Sequence, residues 1–211
     1  MEDNNKPFET LTEIRSMMER STRFISLNGL SGVFAGIFAL AGAAAAWYYT
    51  GRAGGGHYYD NAVLEDGSLN ISYYLFLLTD ALLVLFTSVG VAIALSVRKA
   101  RRQGHRVWDN AARRLVINML IPLVAGGLFC LILIYHGHAA LVAPATLLFY
   151  GLALVNASKY TLNDIRHLGI TEIILGLTAG IWIGYGLLFW AVGFGVVHII
   201  YGVAMYLKYE R

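Results

Sequence analysis

Two ionisable side chains, Asp80 and His198, sit where such groups are hardest to keep. Each lies about nine or ten residues into a long apolar run, and at ~1.5 Å of rise per residue that is near the middle of a ~30 Å hydrocarbon layer. An ionisable group at that depth is unfavourable by roughly 2.5–3.5 kcal/mol on insertion scales, so it needs a partner, a cavity or a task. A carboxyl facing an imidazole is the minimal equipment for proton chemistry between about pH 5 and pH 8, and a change of one charge is felt strongly in a low-dielectric bundle. The plainer alternative is a neutral histidine bonded to a carbonyl and a protonated aspartate bonded across helices.

A second group of polar residues falls nearer the basic end of the apolar runs: Asn28, Asn118, Asn156, Lys159 and Glu172, with Tyr160 close by. Sharing one bundle, they would form a pocket open to the cytoplasm in which Lys159 and Glu172 pair. The competing reading is that each lies within a turn or two of a helix end and snorkels to water. Asn118 carries an extra signal. Pro122 lacks the N–H that would bond the Asn118 carbonyl, so a kink or a local polar site is expected there.

Other constellations are thinner. Gly29-Leu30-Ser31-Gly32, followed by VFAGIFALAGA, resembles the GxSG stretch of rhomboid-type intramembrane proteases, and the resemblance implies a Ser31/His198 dyad. It departs from that family in opening the first span instead of a mid-core one, and in lacking the family's other polar motifs. No catalytic residue is assigned on it. His136 and His138, with His57 and Asp60 in another loop, match no closed metal spacing and read as solvated loop residues. GRAGGGH lacks the strand, helix and lysine of a phosphate loop. The single cysteine, Cys130, has no partner for an internal disulfide. No cofactor is implied.

The elements that must carry these residues are membrane helices. Hydrophobic residues make up 57% of the 211 residues and charged ones only 14%, which excludes a soluble surface. Six spans are predicted, at about 24–47, 71–97, 115–135, 139–158, 169–186 and 188–207, within a transmembrane domain of 24–208. The last two share an apolar stretch of nearly forty residues, with a tight turn at Gly184 to Gly186 or at Gly193 to Gly195. Residues 98–114, RKARRQGHRVWDNAARR, hold seven of the sixteen lysines and arginines. A basic block this dense stays cytoplasmic and orients its neighbours. The fold class is therefore all-α, a polytopic integral membrane protein with both termini cytoplasmic.

Before the first span, residues 1–23 place Phe8, Leu11, Ile14 and Met18 at helical spacing, an amphipathic segment suited to the cytoplasmic interface or to a partner. AGAAAAW at Ala41 to Trp47 has the small residues of a signal-peptidase site, but the long acidic lead-in argues for a retained span. Gly32 and Gly36, and Gly176, Gly180 and Gly184, predict close helix packing. Asn28, Asn118 and Glu172 each precede an Ala-Gly pair by seven and eight residues, a faint three-hairpin repeat.

These features point to small-solute or proton-linked transport, or to sensing, through an intramembrane polar layer in a cell membrane of bacterial inner type. The alternative is a non-catalytic accessory protein that grips a cytoplasmic partner with its N-terminal helix and basic loop. The lipid bilayer is the one certain partner in either reading, and the modest net charge of +3 leaves no nucleic-acid footprint.

Overall fold

The computed structural model describes residues 28–51, 59, 61–104 and 107–211. Regular structure in these residues is helical, apart from one antiparallel bridge between Val63 and Leu69. Helix α1 spans Gly29–Thr50, α2 Ile71–Arg102 and α3 Asn110–Tyr135. A 3-10 turn at Ala139–Leu141 leads into α4, Val142–Ala157, and another at Ser158–Tyr160 follows it. Helix α5 is Asp164–Ile181. The last rod is composite: a 3-10 turn at Ile183–Tyr185, α6 at Gly186–Trp190, a π-helical turn at Ala191–Val197, and α7 at His198–Tyr209.

Six rods result among the described residues, and five are long and apolar enough to cross a membrane. The exception is α5, whose 18 residues include Asp164, Arg166 and Glu172. The amphipathic segment 1–23, the first residues of the expected 24–47 span, and His57 and Asp60 lie outside the described residues.

Local sequence sets the helix ends. Asn28, Asn70 and Asp109 cap α1, α2 and α3, each side chain accepting an N–H from the first turn. Gly51 ends α1 at φ 68°, the left-handed conformation glycine adopts without strain. Pro144 stands in the first turn of α4, where a missing N–H is harmless.

Short connections make neighbouring rods antiparallel, and polar bonds tie one end of the bundle together. The Glu210 carboxylate accepts the Gly29 N–H at 2.6 Å and bonds Lys99 at 3.2 Å, joining the start of α1 to the ends of α2 and α7. Lys208 and Tyr209 reach Asp164 at 3.0 and 2.6 Å, adding the start of α5. At the opposite end Tyr73, Ala62 and Ala139 form a small buried cluster, and Tyr49 stacks on Phe76.

Glycines bring the inner helices to backbone contact. A Cβ on Gly151 would lie 2.6 Å from the Gly169 carbonyl oxygen, and one on Gly169 would lie 2.8 Å from that of Gly151, so α4 and α5 meet backbone to backbone. Gly29, Gly32 and Gly36 of α1 meet the last rod similarly, at Gly202 and Gly195, as the small-residue spacing on the first span predicted. Gly176 packs on α4 at Leu148, and Gly184 falls in the 3-10 turn.

Two sequence expectations need correction here. The chain turns at residues 182–185, whereas Gly193-Phe194-Gly195 lies inside the π-helical turn and does not reverse the chain. Helix α5 also begins at Asp164, five residues before the expected 169, which moves Glu172 from the edge of its helix to the middle.

Candidate functional site

The most constrained polar group is built by three rods. α7 supplies His198, α4 supplies Tyr150 and α5 supplies Glu172. His198 is 5% exposed and Glu172 fully buried. The imidazole Nδ1 lies 2.9 Å from the Gly193 carbonyl oxygen and Nε2 lies 2.8 Å from Tyr150 Oη. A carbonyl can only accept, so Nδ1 carries a proton. In the neutral ring Nε2 is then the acceptor, and Tyr150 donates to it.

The carboxyl of Glu172 sits beside this chain without joining it. Its Oε1 lies 3.4 Å from His198 Nδ1, but that N–H is directed at Gly193, and neither carboxyl oxygen has a hydrogen-bond partner among the described residues. Gly193 makes the approach possible, because a Cβ there would lie 2.5 Å from Glu172 Oε2 and 2.6 Å from Leu147 Cδ2. The same residue thus gives up its side chain to Glu172 and its carbonyl to His198. Its setting is a π-helical turn, a distortion that recurs at functional sites because it redirects carbonyls out of the helical ladder.

Among the described residues no other charge lies close to the group. Helices α1, α4 and α6 and the π-helical turn contain no Asp, Glu, Lys or Arg. On α5 the next titratable side chain is His167, five residues and so ~7.5 Å along the helix, and on α7 the phenol of Tyr201 lies three residues and ~4.5 Å along, while the nearest charged side chain, Lys208, is ten residues and ~15 Å away. Phe194 packs its ring against Tyr150 at 4.9 Å and against His198 at 5.9 Å, lining the group with apolar surface. Left as it stands, the arrangement is one bond short in either protonation state of Glu172: ionised it accepts from nothing, and protonated it donates to nothing. Turning Nδ1–H from Gly193 to Glu172 would complete a chain from phenol through imidazole to carboxyl.

The other predicted residues fall elsewhere. Asp80 faces α1 at Gly42, where a Cβ would lie 3.3 and 3.4 Å from its two oxygens, and it makes no hydrogen bond among the described residues. Asp80 and His198 are therefore not a hydrogen-bonded pair; each has its own helix neighbour. Asn118, Asn156 and Lys159 do come together. Asn156 Nδ2 donates to the Asn118 carbonyl at 2.8 Å, the very oxygen that Pro122 leaves free, and Lys159 reaches Asn156 Oδ1 at 3.4 Å. Asn118 turns its own side chain back to the Arg114 carbonyl. Lys159 and Glu172 do not pair, because the early start of α5 carries Glu172 deeper than Lys159 can follow. Asn28 is spent as the cap of α1. Ser31 donates to the Asn28 carbonyl at 2.5 Å and makes no bond to His198, so the geometry of a serine and histidine dyad is missing.

No family model, curated protein or solved structure matches the chain. Function has to be argued from the site.

Tyr150 was not singled out by sequence reasoning, which expects tyrosines at the headgroup layer. A signal was present. It is the most polar side chain in the middle of VAPATLLFYGLALVNA, and a phenol at mid-helix in an apolar segment usually has a hydrogen-bond partner.

Proposed function

We propose that this is a multi-pass membrane protein that senses protons, or couples a proton to the movement of a small solute, through Glu172, His198 and Tyr150. One observation carries the reading. A fully buried carboxyl with both oxygens unpartnered stands 3.4 Å from an imidazole that has its N–H turned elsewhere. An unsatisfied buried polar group is unfavourable by about 1–3 kcal/mol, more if charged, and such a group persists where a second arrangement makes use of it. In that second arrangement Tyr150 passes its hydroxyl proton to His198 Nε2 and regains one from solvent, while His198 Nδ1 passes its proton to the Glu172 carboxylate, so that one solvent proton ends on Glu172 and both Tyr150 and His198 end neutral. One proton has then crossed the imidazole, and the Gly193 carbonyl is released, which couples the event to the π-helical turn.

In this reading all six rods span the membrane, α5 included, because its charges are its two N-terminal ones and the site residue itself. The basic block, Lys159, Arg166, Lys208 and Arg211 fall at one end of the bundle, which the positive-inside bias makes cytoplasmic, so both ends of the chain lie there.

Infrared difference spectroscopy of the protein in lipid nanodiscs, between about pH 5 and pH 8, tests the proposal by following the carbonyl stretch of a protonated carboxyl. A pH-dependent band that disappears in Glu172→Gln and changes in His198→Ala is the expected result. A band unaltered by Glu172→Gln would remove the acid from the proton chemistry and sink the reading.

A further inference from the structure

The end of the bundle tied together by Glu210 contains a cleft of about 500 Å³, and its lining is not that of a packing defect. Four of its residues, Leu95, Arg98, Lys99 and Arg102, follow one another at helical spacings of three, one and three, so they form a single stripe on the last turns of α2. Arg101, on the intervening face, does not line it. The opposite wall is made by Tyr206 and Tyr209 of α7.

The charges do not cancel. Glu210 is the acid of the cleft, and its carboxylate is already engaged by Lys99 and by the Gly29 N–H. Arg98 and Arg102 have no ion pair among the described residues, and the described lining carries an excess of two positive charges. Guanidinium groups present forked donors that match phosphate oxygens in pairs. The depth is also informative. The apolar run of α2 ends at Val97, so Arg98 begins where hydrocarbon gives way to headgroups, the layer in which tyrosines such as Tyr206 and Tyr209 are favoured. Leu30 and Leu95 supply an apolar wall on which a glyceryl or acyl segment can lie.

We propose that this cleft binds a phosphate group, held by Arg98 and Arg102 and delivered by an anionic phospholipid whose chains run down beside α2. Basic pockets between transmembrane helices on the cytoplasmic side suit such headgroups. The site is separate from the Glu172 group and does not depend on it.

The test uses the purified full chain in neutral detergent, with native mass spectrometry and thermal unfolding in the presence of phosphatidylglycerol, phosphatidylcholine or inorganic phosphate. Phosphatidylglycerol is retained and raises Tm, while phosphatidylcholine does neither. Arg98→Gln with Arg102→Gln lowers phosphatidylglycerol retention about twenty-five-fold, at roughly a factor of five per removed cation, and Arg101→Gln leaves it unchanged. If inorganic phosphate displaces the lipid and reproduces the Tm shift, a soluble phosphate compound is the source of the group; if it does neither, the source is the lipid. Should the double variant not fold, the wild type decides. Its preference for phosphatidylglycerol must vanish between about 0.1 and about 1 M salt, as the screening length falls from about 10 to about 3 Å. Equal retention of the two lipids, a folded double variant that binds like wild type, or a preference indifferent to salt would each overturn the proposal.

Discussion

Glu172 and Asp80 are the same chemistry in two different neighbourhoods. Glu172 belongs to α5, which meets α4 backbone to backbone, and it is sealed among three rods. Asp80 belongs to α2, which buries only Tyr73 and Ala100 in its 32 residues and has α1 as its main helix neighbour. A carboxyl on a peripheral helix can be relieved by tilting, by snorkelling or by water entering from the side. One enclosed by packed helices has none of these exits, so its protonation must be linked to its neighbours. Enclosure, more than the presence of a carboxyl in an apolar run, therefore decides the consequence.

The comparison can be broken most directly at the two acids. In nanodiscs Glu172→Gln abolishes the carboxyl signal that responds to pH, and Asp80→Asn leaves it in place; the reverse outcome would move the functional site to α2. Next in size are the glycines. Gly151→Ala or Gly169→Ala forces a Cβ into opposing backbone and lowers stability to denaturant by about 1–3 kcal/mol, whereas Gly90→Ala on α2 and Gly127→Ala on α3, with nothing within 4 Å, stabilise by about 0.5–1 kcal/mol. Equal effects at the four positions would erase the distinction between inner and outer helices.

A smaller effect is expected at Asn156. Replacing it with Ala strands the Asn118 carbonyl, and helix-to-helix hydrogen bonds in membranes average about 0.6 kcal/mol with a maximum near about 1.7. Pro122→Ala restores an N–H to that carbonyl, so the Asn156→Ala loss should shrink in its background. A double-mutant cycle on unfolding free energy reads the coupling, and strict additivity would show that the bond contributes nothing.

Smallest is the tie at Asp164. The hydrogen bond from Tyr209 holds its carboxyl below the usual carboxylate range, opposed by partial burial and supported by Lys208. A lowered folded-state value means that the stabilisation is fully present above the unfolded value of about 3.9 and is lost as pH falls through the folded one. Tyr209→Phe should remove most of that acid-range slope in unfolding measured from about pH 5 downward, an effect within about 1 kcal/mol because Lys208 is exposed. A slope unchanged by Tyr209→Phe would assign it to other carboxylates.

What the sequence revealed was local in origin. Pro122 frees the Asn118 carbonyl whatever the tertiary fold, so a polar contact there was readable in advance, although not that Asn156 would supply it. Gly32 and Gly36 announced close packing for the same reason: a missing Cβ is a fact of the residue. Pairings between rods were not readable. Counting along the apolar runs puts Asp80 and His198 at one level, but they meet α1 at different heights, Asp80 at Gly42 and His198 at Gly32, and such a count says nothing about which helix faces meet. The sequence puts Glu172 at the basic end because Asp164 and Arg166 mimic a loop, whereas α5 begins at Asp164. The π-helical turn was invisible, since Gly193-Phe194-Gly195 carries the composition of a chain reversal and only its neighbours on α1, α4 and α5 hold it in a helix.

That turn also says something about how the gene tolerates change. A π-helical turn accommodates one residue more than an α-helix would need, so removing a single codon within residues 191–197 allows the rod to close into a regular α-helix without breaking it. Beyond the deletion the helix keeps its faces, because the residue lost is the one the wide turn had absorbed, so His198 still meets Tyr150 and Gly202 still meets the backbone of α1. What disappears is the distortion itself, and with it the Gly193 carbonyl turned toward His198 Nδ1, which the regular helical ladder takes back. The fold would survive while the site lost one of its bonds, a lesion that hydropathy alone would never detect.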